Sequence, residues 1–477
     1  FSFYAFMLEY RMEDLFQVVH LRGGILPDQA ENEGQVGMVG GKPFLKILRF
    51  ADLVKVPPCF QDVHGMAILQ LLHRYENRKI IILTRYLVKI IKQIVMCRHL
   101  SFLLALVLWS VPVLSQQSAN KPEREQWFMD MGLGMFIHWS VDVQVGAVIS
   151  HSMAGASEDY LEKFTKTLPQ TFNPKKFDPD EWAVLAKLAG MKYVVFTTKH
   201  HAGFCMWDTK TTDFNIMRTP FKRDALKEII AAFRKQGIAI GLYFSPEDFY
   251  YFYQHKIPIG RMQYPQHFPA SNPELMAYDK AQIKELLTQY GKIVLIFFDG
   301  PAEGLKEYAW QLQPDIVVTR GQMRTPEQEL PDQPVPGPWE ACFTMGTDWQ
   351  YKPTNDPQKS GTATINMLIE TRAKGGNLLL NVGPKPDGEI QIEQDALLRE
   401  LALWNLANED AIAGIRPWKV IREGNIWFTQ SKDGKAVYAF VPAGTEWKYG
   451  ERKELVLKTL QGGDSTKVSV LGYGSGL

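Results

Sequence analysis

The chain has 477 residues, with 53 Lys+Arg against 52 Asp+Glu and only four Cys. That length is too great for one small module, the balanced charge leaves no footprint for nucleic acid, and the Cys count excludes a disulfide scaffold. Apolar residues make up 45% and aromatics 12%, enough for a large core and for flat faces that stack on ligands.

The first organised signal in chain order lies at 96–115. Met96 is followed by Arg98, then by an uncharged apolar run, and the run closes with Val113 and Ser115 at the minus-three and minus-one places before Gln116. This is the layout of a secretory signal peptide. The apolar stretch is short for a bilayer span, which needs ~20 residues. A signal peptide works at an N-terminus, so residues 1–95, which open on Phe1 and hold no sustained period, are expected to be upstream sequence outside the mature protein. The expectation is a secreted or periplasmic protein, cleaved after Ser115, with no stable membrane insertion. Cys205 and Cys342 would then remain, allowing one bridge at most.

From Trp127 onward, short apolar runs alternate with amphipathic stretches. Strands are predicted at 135–139, 193–197, 238–245, 293–298, 316–319 and 377–382. Helices are predicted at 180–189, 223–236, 273–290, 362–374 and 392–408, two of them stopped by Gly237 and Gly291. Such repetition with nearly continuous apolar strands implies a parallel sheet covered by helices. No Gly-rich phosphate turn follows the first strand, which favours a (β/α)8-like TIM barrel over a dinucleotide-binding sheet. The barrel is expected over 121–411. After Ala413 the pattern changes to short strands at 418–423, 427–431, 436–441 and 455–460, read as a β-sandwich over 412–477 that stops before its last strands.

In such a barrel the chemistry sits where strands end. Polar residues recur at those places: His138; Lys199, His200 and His201; Tyr243, Ser245, Glu247 and Asp248; Asp299 with Gly300; Arg320; Trp339 with Glu340; and Asn381. Adjacent His side chains on a strand point to opposite sides and no ligand spacing accompanies them, so no metal site is expected, and no cofactor. Trp207 and Trp339 are the aromatic planes on which a sugar face could stack. Two carboxylates late in a barrel, amid aromatics and His, point to glycoside hydrolysis, in which one ionised carboxylate attacks the anomeric carbon and a protonated one assists the leaving oxygen. Asp299 ends a purely apolar strand and fits the first role. Glu327, Glu329 and Glu340 are candidates for the second.

These motifs resemble the family 29 glycoside hydrolases, the α-L-fucosidases. The resemblance rests on Gly134–Trp139 (GMFIHW), Ser157-Glu158, Thr198–Phe204 (TKHHAGF) with Trp207-Asp208, Gly241–Ser245 (GLYFS), Phe298-Asp299-Gly300 and Lys374–Pro384 (KGGNLLLNVGP). It implies an exo-acting retaining α-L-fucosidase whose partner is a fucosylated glycan. It also implies Asp299 as nucleophile, with His138, Glu158, His200, His201, Tyr243 and Arg320 around the fucose. Thr325-Pro326-Glu327 followed by Pro338-Trp339-Glu340 resembles the branch acting on α-1,3/1,4 linkages, where Glu340 is the better match for the acid/base and Glu329 and Glu327 follow. Phe297 and Asp159 stand where the family often has Trp, which bears on substrate preference. The alternative is a catalytically impaired fucose-binding protein on the same barrel. The sequence leaves the oligomeric state open.

Overall fold

Runs of β-branched and aromatic residues become the strands of one parallel sheet in the computed structural model, which describes residues 119–146, 151–442, 454–463 and 465–472. The signal-peptide segment 96–115 and residues 1–95 lie outside the described residues. The strands are β1 (Leu133–Ile137), β2 (Tyr193–Lys199), β3 (Ala239–Phe244), β4 (Leu295–Phe298), β5 (Val317–Val318), β6 (Glu340–Thr344) and β7 (Asn377–Val382). They lie side by side in the order β5-β4-β3-β2-β1-β7-β6, every pair parallel. Arg324 and Glu327 add isolated parallel bridges to Trp339 and Cys342, so the 324–327 segment runs along β6 on the side away from β7. The expected barrel is present as this curled seven-stranded sheet.

Helices fall between strands: α1 (Pro122–Met131), α2 (Pro179–Leu188), α3 (Ala225–Lys235), α4 (Phe249–Gln254), α5 (Pro273–Gln289), α6 (Leu305–Leu312), α7 (Gly361–Ala373) and α8 (Ile392–Asn408). Five start on a side-chain cap, from Asp178, Asp224, Asp248, Asn272 and Ser360, each accepting a backbone N–H that the first helical turn leaves unpaired. The sequence reading missed α1, α4, α6 and β6, whose short runs carry no clear period. Among the described residues no helix is long and apolar enough to cross a membrane.

The period of two along each strand splits the core. Inside the curl lie Phe136, Tyr193, Val195, Tyr243, Leu295, Phe297 and Leu379. Their neighbours in sequence, such as Val194, Phe196, Leu242, Ile296 and Phe298, pack outward against helices. Cys205 belongs to the outer core and Cys342 to the inner one, and both are free thiols.

Beyond α8, β8 (Ile415–Glu423), β9 (Ile426–Ser431) and β10 (Val437–Phe440) form a separate antiparallel sheet in the order β10-β9-β8. The fourth strand expected at 455–460 is not formed. There the backbone N–H groups of Lys458 and Thr459 donate to the Glu423 carboxylate instead of to a ladder.

One buried cation ties the lower end of the sheet together. Arg372, on α7, is 1% exposed, and its guanidinium donates to the carbonyls of Ile412, Gly376 and Met129 and to Asn377 Oδ1. Burial pushes its pKa down to about 9. Asn377 Oδ1 also accepts the Gly132 N–H, so replacing Arg372 by Met strands the three carbonyls, and Arg372→Met should lower the unfolding free energy by about 3 kcal/mol. Urea denaturation checks this; a loss below about 1 kcal/mol would show that the acceptors find other partners.

Candidate active site

At the C-terminal ends of the strands, inward-facing positions become polar. Along β4, Leu295 and Phe297 face inward, and the next inward position is Asp299. Its backbone is held one residue past the strand by its N–H donating to Phe244 O, while Phe298 N–H donates to Arg320 O. Gly300 then turns at φ 143°, where a Cβ would come within 3.3 Å of Pro246. The positive φ, with that tight contact, favours glycine behind the carboxylate.

The Asp299 carboxylate gathers partners from several strands. Tyr243, on β3, donates its hydroxyl to Oδ2 at 2.7 Å. Arg320, just past β5, donates Nη1 to Oδ1 at 3.0 Å. His201, just past β2, sets Nε2 3.4 Å from Oδ2. Burial alone would raise the Asp299 carboxyl, but the His201 contact and the Arg320 guanidinium outweigh it and hold it well below the usual carboxylate range. Asp299 is therefore a part-buried carboxylate held in its ionised form.

The same Arg320 Nη1 also donates to Glu327 Oε2 at 2.9 Å. Two carboxylate oxygens sharing one nitrogen at 3.0 and 2.9 Å lie no more than about 6 Å apart. Arg320 is fixed by Nε and Nη2 donating to Thr325 Oγ1 and its carbonyl, and its guanidinium lies 4.7 Å over the Phe297 ring.

His138 and His200 line the same pocket. His138 Nδ1 hydrogen-bonds Asn381 Oδ1 at 2.6 Å, and Asn381 in turn donates to Trp349 O. Burial pushes the His138 imidazole down to about 4, so it is neutral and able to bind a hydroxyl. The His200 ring stacks on Tyr243 with centroids 5.1 Å apart, and burial pushes it well below the usual histidine range.

The two adjacent histidines do not point to opposite sides as a regular strand would require. The β2–β3 register shifts between Thr197 and Lys199, and the strand ends at Lys199. Lys199 turns outward, into a fully buried ion cluster with Asp248 at 3.2 Å and Asp279 at 3.0 Å. His200 and His201 then sit in a turn that Gly203 makes possible at φ 85°, where a Cβ would overlap Asp248. Ligand atoms of His200, His201 and Asp299 consequently fall within 4.8 Å of one another. A metal ion there would face the Arg320 guanidinium on Asp299 and the Arg261 guanidinium 3.9 Å away, and like charges disfavour it.

Five expected site residues do not line this pocket. Glu340 opens β6 rather than closing a strand, because the apolar run follows it. It pairs in register with Asn377, the first residue of β7, at the opposite end of the sheet from Asp299. There it is fully buried, accepts the Tyr193 hydroxyl at 2.5 Å, and is pushed up to about 7 by burial. It cannot meet a substrate that Asp299 meets. Trp339, one residue earlier, is buried with Nε1 donating to Lys374 O. Trp207 is buried with Nε1 donating to Glu285. Glu158 begins a short surface helix and accepts the Tyr253 hydroxyl, away from the pocket residues. Glu329 is exposed and also outside the pocket lining.

The structure adds His151, Arg261 and Trp349 to the lining. Arg261 and Trp349 come from irregular segments and His151 opens a single 3₁₀ turn, His151–Met153, so no period marks a direction. The Trp349 ring packs 5.0 Å from His138, providing the aromatic plane that the sequence reading sought in Trp207 and Trp339.

A sequence profile described as Alpha-L-fucosidase matches residues 113–410. Tissue alpha-L-fucosidase of Mus musculus is 30% identical over 407 residues, which span 75% of this chain and 85% of that protein. Alpha-L-fucosidase of Dictyostelium discoideum is 28% identical over 399 residues, 72% of this chain and 83% of that one. Among solved structures, alpha-L-fucosidase isoenzyme 1 from Paenibacillus thiaminolyticus is similar at TM-score 0.58 and 33% identity, over 65% of this chain and 82% of that chain. A GH29 alpha-L-fucosidase of Bacteroides thetaiotaomicron, trapped as a covalent intermediate with 2-fluoro-fucosyl fluoride in a Glu-to-Gln mutant, is similar at TM-score 0.57 and 25% identity, over 67% of this chain and 82% of that chain.

The electrostatics of Asp299 predict a pH effect on stability. Its pKa is lower folded than unfolded, so its ionisation stabilises the fold above the ordinary value near ~4, and that share is lost as pH falls through the depressed folded value. Asp299→Asn has no such share to lose. Urea unfolding from pH 6 downward should therefore show the wild type losing stability relative to the variant below ~pH 4; parallel curves would mean that Asp299 is not held ionised.

Proposed function

Because the chain belongs to the α-L-fucosidase family and is a glycoside hydrolase, we propose that it is an exo-acting retaining enzyme that removes α-1,3/1,4-linked fucose from oligosaccharides or glycoproteins, with Asp299 as nucleophile and Glu327 as acid/base. The observation that carries the reading is the pair of carboxylates joined by Arg320 Nη1, whose bonded oxygens lie no more than about 6 Å apart. Retaining enzymes need ~5–5.5 Å, and inverting ones, which must fit a water, need ~6.5–9.5 Å. The trapped covalent intermediate of the Bacteroides relative supports the same double displacement.

In the first step an Asp299 oxygen bonds the anomeric carbon, the glycosidic C–O bond breaks, and protonated Glu327 gives its proton to the departing oxygen. In the second, Glu327 takes a proton from water as the water oxygen displaces Asp299. Neutral His138 and the His200 ring offer hydrogen bonds to the fucose hydroxyls, while Phe297 and Trp349 supply apolar faces. The Glu327 side chain is 44% exposed, which fits a proton donor at the mouth, on the leaving-group side. The proposed α-1,3/1,4 preference rests on the Thr325-Pro326-Glu327 motif that presents this group. The layout of 96–115 supports export to a secreted or periplasmic location.

Asp299→Gly should abolish hydrolysis of an aryl fucoside, with azide restoring turnover and yielding β-fucosyl azide; retained activity without azide would refute the nucleophile. Glu327→Gln should cost ~10²–10⁴-fold on a Lewis-type trisaccharide, whose leaving group needs protonation, and far less on a dinitrophenyl fucoside. Equal losses on the two would remove Glu327 from the acid role. Intact mass of the exported protein should place its N-terminus at Gln116, and an N-terminus well before it would refute the signal peptide.

A further inference from the structure

The loop between α4 and α5 contributes Arg261 to the pocket lining, and one buried carboxylate fastens it. Glu247 has a fully buried side chain. Its Oε1 accepts the backbone N–H of Met262 at 2.6 Å, and its Oε2 lies 3.5 Å from Arg261 Nε. Met262 is held at φ 48°, a conformation that a non-glycine residue adopts only where its surroundings enforce it. Further along, buried His267 accepts the Gln263 N–H at Nδ1 and places Nε2 2.8 Å from Pro258 O, closing the loop on itself.

The backbone of Glu247 reaches the nucleophile by a second route. Its carbonyl accepts the Ser245 hydroxyl at 2.7 Å, which uses that hydroxyl's only proton. His201 Nδ1, 2.5 Å from Ser245 Oγ, must therefore be the donor in that contact. The His201 ring is thus fixed with Nε2 toward Asp299 Oδ2 at 3.4 Å. Glu247 orients both the loop and the histidine.

The fastened loop carries the Arg261 guanidinium to 3.9 Å from Asp299 Oδ1, the oxygen that Arg320 also contacts at 3.0 Å. Arg261 is 37% exposed and lines the pocket. Arg320 is shared with Glu327, whereas the acid facing Arg261 from its own side, Glu247, is buried behind it.

We propose that Arg261 is a second catalytic cation at the nucleophile, acting in the deglycosylation step, and that Glu247 is the positioning residue that holds it there. The proposal rests on Asp299 forming a fucosyl ester. When that ester forms, the carboxylate loses its charge. When water attacks, the oxygen of water bonds the anomeric carbon, the bond to Asp299 breaks, its electron pair returns to the carboxylate, and the water proton goes to Glu327. Negative charge redevelops on Asp299 in this step, so a fixed cation stabilises the departing carboxylate. In the first step the same cation stabilises the attacking carboxylate before reaction and gives no help. Arg261 therefore accelerates the second displacement selectively.

The test uses the full-length enzyme and 2-deoxy-2-fluoro-fucosyl fluoride, with mass spectrometry of the adduct. The wild type should form an adduct on Asp299 that decays as water releases the sugar. In Arg261→Met the adduct should form as fast and decay ~10-fold or more slowly. With an activated aryl fucoside, kcat and KM should fall together while kcat/KM stays within ~3-fold. Arg261→Lys should recover part of the decay rate, and Glu247→Gln should shift kcat and KM in the same direction by a smaller factor. Equal adduct decay in wild type and Arg261→Met would overturn the proposal while leaving the nucleophile standing. So would a loss of kcat with KM unchanged. Absence of any wild-type adduct on Asp299 would instead overturn the reading of the mechanism on which it rests.

Discussion

A carboxylate placed among the aromatic side chains that fill a barrel is tolerable only if compensating groups surround it. Asp299 is such a carboxylate. Its cost in burial is offset by a guanidinium, a phenol and an imidazole, from beyond β5, from β3 and from beyond β2. No two of these groups are neighbours in the chain. The side-by-side order β2-β3-β4-β5 brings them within 3.0, 2.7 and 3.4 Å of one carboxylate. The architecture and the ionisation of Asp299 are thus one constraint: loosening the strand ends removes the partners and leaves a charge unpaired.

The compensation extends outward in layers. Arg320 is steadied by Thr325 and by the Phe297 ring, and it brings Glu327 into range. His201 is steadied by Ser245 and Glu247. Lys199, which turns away from the pocket, neutralises Asp248 and Asp279, and Asp248 in turn caps α4. Each polar group that faces the site is therefore oriented by another that does not touch it. Such preorganisation lets charge develop in a reaction without rearrangement of the surroundings.

The strand-end rule read from the sequence was sound for β1 to β5 and misled at β6. His138, His200, His201, Tyr243, Asp299 and Arg320 all face one pocket, since their apolar runs precede them and the chain direction is fixed by the parallel order. Trp339 and Glu340 look similar as a motif, but their apolar run follows them, which puts them at the base. Glu327 was within view as a secondary candidate, yet only its bridge alongside β6 and its contact with Arg320 show that it shares that guanidinium with Asp299. Arg261 and Trp349, in irregular segments, and His151, in a single 3₁₀ turn, were illegible because such short pieces have no period from which a direction can be inferred.

The sequence by itself determined the succession of strands and helices, which inward positions become polar, and the family, because periodicity and local motifs are properties of neighbouring residues. The tertiary structure alone decided which carboxylate pairs with Asp299, which aromatic rings line the pocket, and that two adjacent histidines face the same way. Those outcomes depend on strand direction, on a register shift after Thr197 and on loops that cross from one strand end to another. Contacts between residues far apart in the chain are set by the order of the strands in the sheet, and no local pattern encodes them.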